Sequence, residues 1–103
     1  MKPPYFAVIF TSKRKLYTDD YDATAERMKD LTAQQPGFLG IDSARNADGI
    51  GITVCYWDSI DAIKNWKANN EHQYAQSMGK KEWYESYSIR ITKVEEEYSM
   101  EAL

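Results

Sequence analysis

Residues 46–57, NADGIGITVCYW, decide the fold of this chain. Asn46-Ala47-Asp48-Gly49 has the composition of a tight turn, in which Gly49 is able to take a positive φ. Apolar and β-branched segments lie on both sides of it, over residues 38–45 and 51–57. The sequence therefore predicts an antiparallel hairpin. The glycines do not predict a phosphate-binding loop, because no helix follows them directly.

The remaining segments complete an alternating order of strands and helices. Residues 5–12 predict a buried strand, 13–20 a polar loop, and 21–35 a helix that ends before Pro36-Gly37. Residues 58–61 resemble a capping box and precede a second helix, which we expect to break near Asn69-Asn70. Residues 84–94 alternate as a last strand. The order βαββαβ is typical of a ferredoxin-like α+β fold, with a four-stranded antiparallel sheet and both helices on one face.

Both faces of the predicted sheet carry apolar side chains. In the third strand, Ile52 and Val54 point to one face while Cys55 and Trp57 point to the other. The helices cover only one face, and a chain of this length has no second layer for the other. The cheapest solution is a homodimer that packs sheet against sheet.

Bulk composition bounds the class of protein. The 103 residues suit one domain, over 1–95, followed by an acidic tail over 96–103. A net charge of −3 argues against nucleic acid as a partner, and no apolar run is long enough to span a membrane. One cysteine excludes an internal disulfide, which fits a cytoplasmic protein. One histidine and one cysteine exclude a zinc site of three or four soft ligands within one chain, so we expect no metal site of that kind.

The stretch NWKANNEHQYAQ, residues 65–76, holds the candidate site residues. Trp66 is either a core side chain or a pocket wall. His72, the only histidine, is either solvated or a base, since a neutral imidazole near pH 7 can take a proton from a phenol. Tyr74 and Gln76 are candidate donors that orient a substrate. On the last strand, Arg90 either covers the sheet with its stem or holds a developing phenolate oxygen.

At several points the chain resembles the antibiotic biosynthesis monooxygenase family, whose members form dimeric α+β barrels. The resemblance covers residues 5–95 and is carried by three stretches: Pro36-Gly37-Phe38-Leu39-Gly40; Tyr56-Trp57-Asp58-Ser59 with Ala62, Ile63 and Trp66; and Trp83-Tyr84-Glu85-Ser86-Tyr87. It implies either oxidation of aromatic polyketides to quinones by O₂ without a cofactor, or cleavage of haem.

The family's two chemistries imply different residues. Haem-degrading members use an Asn on the first strand and a His ten residues after the helix Trp; here the first strand has no Asn and the tenth position is Gln76. Quinone-forming members use an Asn one turn before the Trp, a Tyr six residues after it and an Arg on the last strand. These positions correspond to Ala62, His72 and Arg90. The match is partial and favours the second chemistry.

The sequence thus predicts a homodimeric, cofactor-independent monooxygenase acting on a small aromatic or quinone-like molecule. His72, Trp66 and Arg90 are its predicted catalytic residues, and Tyr74, Gln76 and Tyr56 its predicted substrate contacts. The alternatives are a non-catalytic small-molecule-binding or stress-related homodimer, a structural dimer without ligand, and a haem-degrading enzyme.

Overall fold

The computed structural model of the chain describes residues 1–15 and 21–100, and it has the order βαββαβ. The second helical segment is in two pieces, followed by a single π-helical turn. Among these residues, no helix has the length and apolar composition needed to cross a bilayer. The elements are β1 Tyr5–Arg14, α1 Tyr21–Ala33, β2 Phe38–Arg45, β3 Ile50–Trp57, α2 Ile60–Lys67, α3 Asn70–Met78, the π-helical turn Gly79–Trp83, and β4 Tyr84–Val94.

The four strands form one antiparallel sheet in the order β2-β3-β1-β4. The predicted hairpin joins β2 to β3. The Asn46 side-chain oxygen accepts hydrogen bonds from the backbone N–H of Asp48 and of Ile50, both at 3.0 Å. Gly49 has φ +86°, a value that favours glycine. The turn chemistry read from the sequence therefore fixes the register of the edge strand β2 against β3, and the ferredoxin-like prediction is confirmed.

The sheet has an inner face toward the helices and an outer face away from them. On the inner face, Val8 lies between Cys55 of β3 and Ile91 of β4, and both Val8 and Cys55 pack against the helix α2 core. Side chains alternate along a strand, so Ile9, with its neighbours Val54 and Arg90, lies on the outer face. Apart from the irregularities at Lys13/Arg14 and Phe38/Gly40, the strand residues can be assigned to a face in this way.

The core lies between β3 and α2. Trp57 is completely buried, and Ala62, Ile63 and Trp66 pack around it. Helix α2 begins with Ser59 as its N-cap, whose Oγ accepts a hydrogen bond from the Ala62 N–H at 3.1 Å. The cap is thus one residue later than the capping box predicted over residues 58–61. It sets the rotation of the helix, so that Trp66 faces the sheet.

Two boundaries differ from those predicted. Strand β1 continues to Arg14, which pairs with Tyr84 of β4 and donates its N–H to the Gly49 carbonyl at 2.9 Å. Of the predicted loop 13–20, residues 16–20 lie outside the described residues. Helix α1 ends at Ala33 rather than residue 35.

The segment after β4 returns to the sheet at Glu97. Tyr5, on the outer face, donates its hydroxyl to Glu97 Oε2 at 2.6 Å, and the N-terminal ammonium lies 3.8 Å from Glu97 Oε1. The boundary predicted between residues 95 and 96 stays a prediction, and residues 101–103 of the predicted tail lie outside the described residues.

Candidate functional site

A cavity of about 740 Å³ lies between the inner face of the sheet and the helices. Its floor is formed by inner-face side chains of all four strands, and its walls by α1, α2, α3 and the π-helical turn. Apolar side chains dominate, with a few polar groups among them, a composition typical of sites for small organic molecules. The side chains that matter below are Trp66, His72, Gln76, Arg45, Tyr21 and Trp83.

The break between α2 and α3 places His72 on this cavity. The Asn69 side chain caps α3 by accepting a hydrogen bond from the His72 backbone N–H at 3.1 Å. Asn69 itself has an extended conformation, with φ −64° and ψ 128°, so the chain changes direction there. The predicted helix break is confirmed. As a result His72 folds back over Trp66 instead of continuing along one long helix.

The imidazole of His72 stacks on the indole of Trp66. The two rings are nearly parallel, with centroids 4.2 Å apart and an angle of 9° between their planes. Nδ1 of His72 lies 3.0 Å from the Trp66 carbonyl oxygen. A carbonyl can only accept, so Nδ1 must carry the hydrogen, and in the neutral ring this leaves Nε2 with a free lone pair. The ring is oriented and its basic nitrogen is defined.

Burial keeps this imidazole neutral. It lowers the pKa of His72 below its usual value of 6.5; the hydrogen bond to the Trp66 carbonyl opposes this effect, and the charge of Lys67 reinforces it. At pH 7 His72 is therefore a neutral ring able to accept a proton at Nε2.

The helical site residues predicted from the sequence separate into two groups. Trp66, 8% exposed, His72 and Gln76 all line the cavity. Tyr74 points away from it and is 63% exposed, which corrects the expectation that it contacts a substrate. The physical reason is helical spacing. Tyr74, two residues after His72, lies on nearly the opposite side of α3, whereas Gln76, four residues after His72, lies on the same side.

Arg90 and Tyr56 lie on the outer face and do not reach the cavity of their own chain. Arg90 pairs with Ile9 across the strands and donates to Ser88 Oγ at 3.1 Å. Tyr56 donates its hydroxyl to Asp42 Oδ2 at 2.9 Å. The grouping of Arg90 and Tyr56 with His72 is thereby corrected: strand alternation puts them on the other side of the sheet.

Comparison with known proteins places this chain in a family. Residues 5–78 match the antibiotic biosynthesis monooxygenase family, which is more than half of the chain. The chain belongs to that family. The resemblance found in the sequence is confirmed, including its fold.

Relatives of this family member differ widely in identity. It is 55% identical over 94 residues to YqjZ, an uncharacterised protein of Bacillus subtilis (strain 168), a match that covers 91% of this chain and 82% of YqjZ. Its fold is similar to that of Rv0793 from Mycobacterium tuberculosis, with a TM-score of 0.79 and 14% identity over 92% of this chain and 99% of Rv0793. It is also similar to SnoaB, a cofactor-independent oxygenase from Streptomyces nogalater, with a TM-score of 0.77 and 13% identity over 90% and 95% of the two chains.

Cys55, the only cysteine of the chain, lines the cavity and is its one sulfur nucleophile. It is half-buried on the inner face, and burial raises the pKa of its thiol to about 11. The thiol is therefore protonated at pH 7 and packs as a small apolar group. Among residues 1–15 and 21–100, no three His, Cys, Asp or Glu side chains lie together in a way that could hold a metal ion.

Sequence reasoning missed a polar cluster at the other end of the cavity, near the β2–β3 turn. It contains Arg45, Tyr21, Trp83 and Tyr84, from four different elements. One signal was present: Arg45 has the same strand parity as Ile41, which faces inward, so a charged side chain had to lie on the inner face. The tyrosines gave no such signal, because aromatic residues occur throughout the chain.

Proposed function

We propose that this chain is a cofactor-independent monooxygenase that transfers one oxygen atom of O₂ to a planar phenol bound in the cavity. The observation that carries the proposal is the placement of His72: its imidazole lines the cavity, stacks on Trp66 and is held through Nδ1 by the Trp66 carbonyl, which leaves the lone pair on Nε2. Membership of the family supports it, and SnoaB, which shares the fold, is a cofactor-independent oxygenase. The identity of 13% makes this a likeness of fold alone.

The chemistry begins with removal of a proton. Nε2 of His72 takes the proton of the phenol hydroxyl, and the resulting phenolate is electron-rich enough to reduce O₂. Oxygen adds at the ring carbon para to the hydroxyl. One oxygen atom stays there as the second carbonyl of a quinone, and the other leaves as water with two hydrogens of the substrate. Oxidation of the phenol to the quinone releases all the electrons that reduce the two atoms of O₂. No external reductant therefore enters the balance.

The cavity suits a flat, apolar ligand. Val8 and Phe10 from β1, with Ile89 and Ile91 from β4, form an apolar floor. The stacked rings of His72 and Trp66 form part of the facing wall. Gln76, one turn after His72, offers an amide that can donate to or accept from a ligand oxygen. These groups would hold a planar ring system with its hydroxyl toward Nε2.

Oxygen uptake with 1-naphthol tests the proposal. Its para position is free, and the balanced product of one O₂ per naphthol is 1,4-naphthoquinone and water. We expect the purified protein to consume O₂ and form this quinone faster than buffer does, with one labelled oxygen per quinone under ¹⁸O₂. Binding of naphthol without oxygen uptake would contradict the enzyme and favour the non-catalytic binding protein.

We also propose that the functional unit is a homodimer. The support lies on the outer face, where Ile50 is 48% exposed and Ile52 is 49% exposed, beside the half-buried Ile9 and Val54. Contiguous apolar side chains of this kind are characteristic of an interaction surface. A second copy laid across the sheet would cover them and leave the cavity on the inner face intact.

Sedimentation distinguishes a homodimer from a monomer. We expect a dimer at micromolar concentration for the natural chain and a monomer for Ile52→Glu, since a buried, unpaired carboxylate opposes the packing of apolar faces. Lys93→Glu is the matched control, because Lys93 is an exposed side chain of the inner-face parity near the end of β4. A natural chain that sediments as a monomer would refute the dimer.

A further inference from the structure

Arg45 is a half-buried cation whose hydrogen bonds all go to neutral groups. At the end of β2 its Nη1 donates to the Gly49 carbonyl, while Nη2 donates to Ser12 Oγ at 2.8 Å and to the Tyr21 hydroxyl at 3.3 Å. No carboxylate of the described residues lies within ion-pair distance of it. A guanidinium has five N–H groups, so the N–H of Nε and one of Nη1 have no acceptor within the described parts of the chain.

The hydroxyl of Tyr21 also has a hydrogen to donate. Tyr84 donates its own hydroxyl to the Tyr21 oxygen at 3.2 Å, and Arg45 donates to the same oxygen. An oxygen that accepts twice has its own hydrogen left over, and no acceptor for it occurs among the residues that the structure describes. Burial and the bond to Tyr21 raise the pKa of Tyr84, so Tyr84 keeps the hydrogen that it donates.

Trp83 adds a third donor. Its side chain is 4% exposed and lines the cavity, and its ring packs edge-on against Tyr21 with centroids 5.6 Å apart. Its Nε1–H is buried and has no hydrogen-bond partner in the part of the chain that the structure describes. Buried polar groups are nearly always paired, so an unpaired one at a cavity indicates a missing acceptor. The unused groups of Arg45, Tyr21 and Trp83 are therefore all donors.

The charge of the cavity lining agrees with this excess of hydrogen-bond donors. The described residues that line the cavity include three basic side chains, Lys29, Arg45 and Lys67, and one acidic side chain, Glu26. The whole chain has a net charge of −3, so the positive excess is specific to the cavity. A cavity of one sign with apolar walls concentrates ligands of the other sign.

Two glycines make room for the cluster. A Cβ on Gly51 would lie 2.6 Å from Arg45 Cζ, and a Cβ on Gly79 would lie 2.9 Å from Tyr84 Cε2. Neither glycine has a positive φ, so backbone conformation does not demand glycine there. The space that the absent side chains leave is occupied by the guanidinium and the phenol ring, which sit close against the backbone as a result.

We propose that Arg45, Tyr21 and Trp83 bind a carboxylate of the ligand, so that the substrate is an acidic phenol with its carboxylate and its reacting hydroxyl at opposite ends. Only the placement of the reacting hydroxyl near His72 rests on the proposed function; the carboxylate site does not. Four residues of β3, about 13 Å, separate the Gly51 row beside Arg45 from the Cys55 row, and Cys55 packs against the core that contains Trp66, on which His72 stacks. We therefore expect the two groups on different rings, and the planar guanidinium fork matches a carboxylate.

Binding of two matched probes tests this. Titration calorimetry under nitrogen compares 5-hydroxy-2-naphthoate with its neutral carboxamide, which has nearly the same shape. We expect the natural chain to prefer the carboxylate by about tenfold or more, as for charge-assisted hydrogen bonds. Arg45→Gln should bring the two affinities to within about twofold, and Trp83→Phe should reduce the preference while keeping the ring. A natural chain that binds both probes equally would overturn the proposal.

Arg45 also holds the β2–β3 turn through Gly49 and Ser12, so a purely structural role must be separated. Gly51→Ala keeps the charge but displaces the guanidinium, and it should lose the preference while the folded spectrum is retained. His72→Ala should keep the preference, because His72 lies at the other end. If Arg45→Gln and Gly51→Ala fold and weaken both probes by the same factor, the anion site is refuted.

The same probes distinguish this site from the proposed reaction. Preference for the carboxylate without oxygen uptake would support the anion site and contradict the monooxygenase. Oxygen uptake with 1-naphthol but equal binding of the two hydroxynaphthalene probes would contradict the anion site alone.

Discussion

His72→Ala is expected to lower the rate of oxygen uptake with 1-naphthol by about 10²–10⁴-fold, the usual contribution of a positioned general base. The substitution removes the lone pair of Nε2, which has no replacement among the other side chains named at this end of the cavity. Binding of naphthol should weaken much less, because the ring is held by the apolar floor. Steady-state kinetics therefore separates the effects: kcat falls and KM changes little.

Two further variants define the role of His72. His72→Gln keeps a side chain able to bond the Trp66 carbonyl but removes the base, so we expect the same loss of rate. Gln73→Ala, at an exposed neighbouring position on α3, should have the rate of the natural chain. If His72→Gln retains a tenth or more of the natural rate, proton transfer by His72 is refuted.

The pH dependence follows from the direction of the pKa shift. Burial lowers the pKa of His72 in the folded chain, so the active neutral ring persists below pH 6.5 and the rate falls only at lower pH. Stability has the same sign: the unfolded chain, with a His pKa near 6.5, binds more protons in this window, so the free energy of unfolding decreases as pH falls below 6.5. His72→Gln should abolish this contribution, which urea denaturation at pH 5 and pH 7.5 would measure.

Trp57→Ala is expected to have the largest effect on stability. Trp57 is 0% exposed and packs against Phe38, with ring centroids 5.6 Å apart, and against Trp66 at 6.5 Å. Truncation leaves a void at the centre of the core and should lower the free energy of unfolding by about 3–5 kcal/mol. For a domain of this size the thermal midpoint should fall by at least about 12 °C. Circular dichroism during heating measures it.

Matched variants show whether burial is the cause. Tyr98→Ala removes a side chain that is 97% exposed and should leave the thermal midpoint unchanged. Trp57→Phe keeps most of the ring volume and should cost less than Trp57→Ala. A Trp57→Ala midpoint within about 2 °C of the natural chain would mean that this core does not hold the sheet and α2 together.

Most of the fold could be predicted from the sequence because its signals are local. The turn at Asn46–Gly49, the alternation of β4 and the helix break at Asn69 each depend on residues next to one another. Boundaries were harder: Arg14 belongs to β1 because it pairs with Tyr84 and bonds the carbonyl of Gly49, and both partners are distant in sequence. The capping box was placed one residue early, since Asp58 and Ser59 are both good caps and tertiary packing chooses between them.

The candidate site was predicted only in part. Trp66, His72 and Gln76 were found because they lie close together in the sequence, and His72 and Gln76 are four residues apart on one helix. Arg90 was placed on the wrong face of the sheet. Its alternation with Ile89 and Ile91 was read correctly, but the sequence did not show which face of β4 the helices cover. The cluster around Arg45 could not be found this way, because it brings together the end of β2, the start of β4, the start of α1 and the π-helical turn.

Nuclear magnetic resonance of the imidazole tests the central claim most directly, because His72 is the only histidine and its signals need no assignment. In protein labelled with ¹⁵N at histidine, we predict a neutral ring with its hydrogen on Nδ1, a pKa below 6.5, and a change in the Nε2 shift when naphthol is added. A ring with its hydrogen on Nε2, or one that titrates at or above 6.5 and ignores naphthol, would contradict the account.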